Sequence, residues 1–190
     1  MPTRIHFTEA LDDINQEILK MGTLVEEALR KALNAFEERN TEAAKEIIED
    51  DAKINAYQKD IEDRSMILIA TEQPVARDMR RLMTAVKIVS NLERIGDHAV
   101  HLARSTLRLV SQPVITSIVE KIPDMAEIGI QMVRDTLTAF MSCDVDKAKE
   151  TAAKDDKLDE IHKQLFTEIL EYTKKNPSHV PQAVDLLFDI

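Results

Sequence analysis

The chain has 190 residues, 44% of them hydrophobic, with 3 glycines, no tryptophan and 4% aromatic residues, and its 35 acids against 25 bases leave a net charge of -10. That apolar fraction excludes a disordered chain, and the scarcity of glycine, aromatic and alternating β-branched residues excludes a sheet protein, leaving an all-α fold. The acidic balance argues against nucleic acid or an anionic membrane surface as the main partner and suits cation binding.

Cys143 is the only cysteine, so no intramolecular disulfide can form and a reducing compartment is implied. The N-terminus has no apolar signal core, and the longest clean apolar run is the short Met66 to Ala70. The expectation is a cytoplasmic protein not inserted in a membrane.

Apolar residues at three- and four-residue steps predict a first helix from about Phe7 to Glu38, with Leu11, Ile14, Ile18, Met21, Val25, Ala28, Ala32 and Ala35 on its seam. Asn40 or Thr41 caps a second helix to about Thr71, carried by Ile47, Ile54, Ile61 and Leu68. Pro74 fits the first turn of a third helix, which ends before Pro113. Its seam reads Met79, Leu82, Val86, Val89, Glu93, Gly96, Val100, Ala103, Leu107 and Val110. Long helices with short connections fold back on one another as an up-down-up bundle.

A linker or short helical piece from Pro113 to about Pro123 leads to a fourth helix ending near Met141, with Met125, Gly129, Met132, Val133, Leu137 and Phe140 inward. Asp144 caps a fifth helix to about Thr173. Pro177 and Pro181 then break the chain before a short sixth helix over Gln182 to Ile190.

Adding 104 to a position maps Met21 onto Met125, Ala35-Phe36 onto Ala139-Phe140, Asn40 onto Asp144, Ala44 onto Ala148, and the segment from Asp51 to Asn55 onto that from Asp155 to Asp159. A constant offset over five landmarks indicates two tandem three-helix repeats, 1–112 and 113–190, the second short of most of its third helix.

Acids occupy matching slots within this pattern. Glu93 sits on the third seam, Asp97 follows one turn later, and Gly96 removes the side chain between them. Asp155 and Asp159 take the same slots on the fifth helix, and Asp51 with Asn55 repeats the spacing on the second. A carboxylate in a dry seam must pair with a cation, stay wet or bind a metal. Pairs from two neighbouring helices would supply four oxygen donors, a set suited to Mg, Mn or Fe and, with His162 nearby, to Zn. The plainer alternative is neutralisation by Arg77, Arg81 or Arg104.

Asp159 and His162 have the Asp-x-x-His spacing of di-iron carboxylate bundles, although only one such pair is present. His98 points away from the seam, and His101 lies at the groove edge. Arg80, Lys87, Arg94, His101 and Arg108 recur at sevens in a column beside the seam, either paired with acids such as Glu46, Glu49 or Glu62 or serving as a docking strip. No Gly-rich phosphate cradle and no Ser-His-Asp or Cys-His set is present.

At Gln73-Pro-Val-Ala-Arg-Asp78 and Asn91-Leu-Glu-Arg-Ile-Gly-Asp-His98, the chain resembles the PhoU family of phosphate-transport accessory proteins, over about residues 7 to 190. The resemblance implies multinuclear metal sites on Glu/Asp-x-x-x-Asp motifs, carried here by Glu93 and Asp97 and by Asp155 and Asp159, with Asp51 and Asn55 the degenerate equivalent. It implies divalent or ferric ions and a non-enzymatic homodimer that negatively regulates the phosphate-starvation response. In that role the protein couples the ATPase of a phosphate ABC transporter to a sensor histidine kinase. Two features depart from the family pattern: no second Glu-Arg-Ile-Gly-Asp block occurs, and His101 stands where the family more often has Asn. A ferritin-like di-metal oxidase and a metal-free structural adaptor are the alternatives.

Overall fold

The computed structural model describes residues 2–111 and 119–189, and its described residues form seven α-helices and one short 3-10 turn. The helices are α1 (Pro2–Glu38), α2 (Thr41–Glu72), α3 (Ala76–Leu109), α4 (Ile122–Ser142), α5 (Val145–Ala152), α6 (Asp155–Lys175) and α7 (Val180–Asp189). The repeat boundary at 112/113 and most of the expected linker lie outside the described residues.

The 104-residue offset is visible in the backbone itself. Arg39 and Cys143 both turn left-handed, at φ 55° and 53°. After each, the same pair of hydrogen bonds closes the helix: Arg39 N to Phe36 O and Asn40 N to Ala35 O, then Cys143 N to Phe140 O and Asp144 N to Ala139 O. These are Schellman closures, in which one left-handed residue lets two amides reach back to the orphan carbonyls of the last turn. Asn40 and Asp144 then cap the following helices by accepting from Ala43 N and Lys147 N. The third helices keep the offset too, with α3 starting at Ala76 and α7 at Val180.

Four expectations need correction. The first helix begins at Pro2 rather than Phe7, because proline is tolerated in a first turn where its missing N–H has no partner to lose. Pro74 precedes the third helix, whose N-cap is Val75 at φ -67° and ψ 162°. Pro181 sits within the first turn of α7 and does not break it, for the same reason. The fifth helix is interrupted at Ala153–Lys154. There the Thr151 hydroxyl donates to the Lys147 carbonyl at 2.8 Å, a back-bond that bends helices, and Lys154 N reaches Thr151 O three residues back.

Helices α1, α2 and α3 enclose the first core around Ile14, Ile18, Met21, Ile61, Leu82 and Val89, each essentially inaccessible. A second apolar cluster joins the repeats, with Ala32, Leu33, Phe36 and Leu102 meeting Ile130, Leu165, Ile169, Ala183 and Leu186. Helix α4 lies along α1, where Leu137 fills the space over Gly22. An ion network crosses the same junction, with Arg30 bridging Glu127 at 2.6 Å and Arg134 bonding Glu26.

The buried stripe of α3 runs through Leu82, Ala85, Val89, Leu92, Gly96, Ala99, Val100 and Ala103. It is rotated from the expected seam, so Val86, Glu93 and Leu107 lie at the flank and Val110 is exposed. Residues spaced by sevens drift about 20° per step on a straight helix, and the small Ala85 and Ala99 are buried on the stripe that results.

Candidate functional site

The site begins with α2 and α3 running antiparallel. On α2 the flank beside the core stripe carries Asp51, Asn55, Gln58 and Glu62. On α3 the facing flank carries Glu93 and Asp97. Gly96, buried between them, allows close approach: a Cβ there would stand 3.1 Å from Ile54 Cδ1 and 3.9 Å from Asp51 Oδ1. The glycine therefore leaves one carboxylate oxygen of α2 directly over the backbone of α3.

Asp51 has two unlike oxygens. Its Oδ2 accepts from Asn55 Nδ2 at 2.9 Å, whereas Oδ1 is buried without a hydrogen-bond partner. A buried orphan acceptor is costly, on the order of 1–3 kcal/mol. Half-buried Glu93 lies in the same field. Burial first, then Asp97 and Asp51, push its carboxyl above the ordinary glutamate range, with Arg94 opposing and Glu62 adding to the rise. Like charges crowd this rim, and Asp51 and Gly96 also belong to the wall of an adjoining cavity of about 370 Å³ between α1, α2 and α3.

The expected cationic partners do not answer this charge. Arg81 donates to Cys143 Sγ at 3.7 Å instead, and Arg77 and Arg104 are exposed. Arg94 offsets the charge only in part, and hard carboxylate oxygens around an orphan acceptor are of the kind that suits a hard metal ion. As the side chains stand, no three carboxylates, imidazoles or thiolates among the described residues converge closely enough to enclose one.

The structure brings Asp51, Asn55, Glu93 and Asp97 to one rim and places Asp155 and Asp159 elsewhere. Asp155 and Asp159 are both exposed, and Asp159 accepts from Lys163 at 3.3 Å. Asp155 lines a separate, mainly apolar groove of about 580 Å³ between the α1/α3 and α4/α6 pairs, opposite His98 and Ile95. Of the expected pairs, those of α2 and α3 therefore face one rim without closing into a four-oxygen set, and the pair of α6 does not join them. In the second repeat, α7 covers α6 around Leu165 and Ile169, which leaves the Asp155 end uncovered.

The histidines divide the same way. His162 is half-buried with its ring stacked on Phe166 at 6.4 Å, and exposed His98 and His101 stand 6.4 Å apart. Glu62 was visible in sequence only as an acid for the basic column. The signal for its true place is its eleven-residue, three-turn spacing from Asp51 on the same flank.

The PhoU-domain family model matches residues 18–106 and 122–189 of this chain. Phosphate-specific transport system accessory protein PhoU homologs from Clostridium acetobutylicum and Aquifex aeolicus are 37% and 38% identical to it. Those matches cover 98% and 94% of this chain and 85% and 80% of the relatives. The crystal structure of PhoU from Pseudomonas aeruginosa is similar at a TM-score of 0.91 and 28% identity, over 96% of this chain and 88% of that one. The phosphate transport system regulatory protein PhoU from Streptococcus pneumoniae is similar at 0.88 and 31%, over 96% and 86%.

Proposed function

This chain belongs to the PhoU family, and from that premise we propose that it is a metal-binding, non-enzymatic negative regulator of phosphate uptake and phosphate-starvation signalling. It works in the cytoplasm as a homodimer, coupling the ATPase of a phosphate ABC transporter to a sensor histidine kinase. The regulatory half of this reading is supported by relatives that are accessory proteins of phosphate transport. No helix among the described residues is long and apolar enough to cross a membrane.

The metal half rests on one observation: Asp51 Oδ1 is buried without a partner beside a Glu93 carboxyl that burial and neighbouring acids push up. A divalent or ferric ion, of Fe, Zn, Mn or Mg, neutralises that crowding when bound. Glu93, Asp97 and Asp51 supply its oxygens, and Asn55 holds Asp51 in place through its amide. Asp155 and Asp159 form a second, separate and more weakly binding pair, because exposure and Lys163 already satisfy Asp159. Bound metal stiffens the α2/α3 rim and shapes a surface for protein partners.

The test is the metal content of the purified protein against Glu93→Ala/Asp97→Ala, together with a phosphate-responsive reporter in cells lacking their own family member. Loss of stoichiometric metal from the variant, with repression restored by the unaltered chain, supports both halves. Unchanged metal content removes this rim from the site, and failure to repress removes the regulatory role.

A further inference from the structure

Helix α3 carries seven arginines and lysines against three carboxylates within a chain of net charge -10. Its acids, Asp78, Glu93 and Asp97, lie within or beside the buried stripe. Arg80, Lys87 and Arg94 lie on the opposite side, roughly 155–175° from the centre of that stripe at 100° per residue, and all three are exposed. The column expected beside the seam is thus the outermost face of the bundle. Among the described residues none of these three cations has a carboxylate within salt-bridge distance, so of the two readings of the column the pairing with Glu46, Glu49 or Glu62 is not formed. Arg108, at the end of the column, is already bonded to Asp185 at 2.9 Å.

The geometry points to a docking face on which α3 receives an acidic α-helix of a protein partner, its carboxylates spaced by heptads and its axis along α3. Successive cations lie about 10.5 Å apart along the axis, too far for one small anion to bridge. A second helix repeats its own side chains at that same interval and, with a slight supercoil, follows the 20° drift of the column. Met83, 47% exposed, is three residues after Arg80 and four before Lys87, and supplies the apolar contact between charged rungs. This deepens the accessory-protein reading, from which it takes only the existence of a protein partner. It does not depend on the metal.

Binding is measured by fluorescence anisotropy with a synthetic helical peptide about three heptads long, with glutamate at one position of each heptad and leucine on the adjoining seam. An isomer of the same composition with its glutamates redistributed is the control. Anionic phosphatidylglycerol vesicles form the other arm. The heptad peptide binds about tenfold more tightly than the isomer, as three modest ion pairs in register would give. Arg80→Glu/Lys87→Glu/Arg94→Glu abolishes that preference while helicity by circular dichroism is unchanged, and Glu93→Ala/Asp97→Ala retains it. If the charge-reversed variant fails to fold, Arg80→Gln/Lys87→Gln/Arg94→Gln with a salt titration gives the same readout. Equal binding of the two peptides, binding to vesicles in place of the peptide, or retention of the preference by the substituted chain overturns the proposal.

Discussion

Gly96 of α3 lies with the direction of its absent Cβ 3.9 Å from Asp51 Oδ1 on α2, so the acid and the helix backbone share a space that any larger residue would fill. That approach brings Asp51 into the field of Glu93, whose carboxyl is pushed up by burial and by Asp97 and Asp51. An acid raised in the fold above its unfolded value of 4.5 favours the folded state at low pH, and that benefit disappears as pH rises through the raised value. Metal-free protein carrying Glu93→Gln is therefore more resistant to urea than the unaltered chain at pH 7, and the difference shrinks as pH falls toward 4.5. Added divalent metal reverses the order at neutral pH. Urea midpoints across that range, with and without metal, are the measurement.

Asp135 does the opposite. Lys154 donates to its Oδ2 at 2.6 Å and Lys147 lies 3.3 Å from Oδ1, tying α4 to the bend between α5 and α6. Hydrogen bonds from Lys154, Gln131 and Lys147 hold its carboxyl down to about 2. A depressed acid stabilises the fold above its unfolded value of 3.8 and loses that contribution as pH falls to about 2. The contribution at neutral pH is about 2 kcal/mol. Asp135→Asn removes it, so its urea midpoint falls at pH 7 and converges with that of the unaltered chain near pH 2.

Asn40 and Asp144 do the same task in the two repeats, each accepting from the amide three residues on. Asn40→Ala and Asp144→Ala should each cost about 1 kcal/mol, since both remove one N-cap acceptor. Thermal unfolding of the two variants checks it, and additivity in the double variant is expected for caps on different helices.

Gly22 and Leu137 mark the place where the repeats touch, because the methyl end of Leu137 fills the position of a Cβ on Gly22. Gly22→Val should destabilise by about 1–3 kcal/mol through overpacking. Leu137→Ala in the same chain should recover part of that loss, the sign of direct coupling in a double-mutant cycle. Chemical unfolding of the two single variants and the double variant measures it.

Periodicity and punctuation in the sequence already specify much of this architecture. The seams of α1 and α2 are buried nearly as spaced, and Asn40 and Asp144 cap as their side chains predict. The duplication survives down to the left-handed residues that end α1 and α4. The bend at Ala153–Lys154 was less legible, because Thr151 in a helical run signals nothing until its hydroxyl turns onto Lys147 O.

The candidate site was legible only by halves. Spacing along one helix determines which residues share a face, so Glu93 with Asp97 and Asp51 with Asn55 followed from the linear pattern. Which faces meet is a matter of packing between helices: the small Gly96, Ala85 and Ala99 decided how α3 rolls against its neighbours, drawing Asp51 toward Glu93 and leaving Asp155 on another groove and Asp159 exposed. The same roll turned Arg80, Lys87 and Arg94 outward, because a helix can bury only one stripe and volume complementarity across the interface selects it.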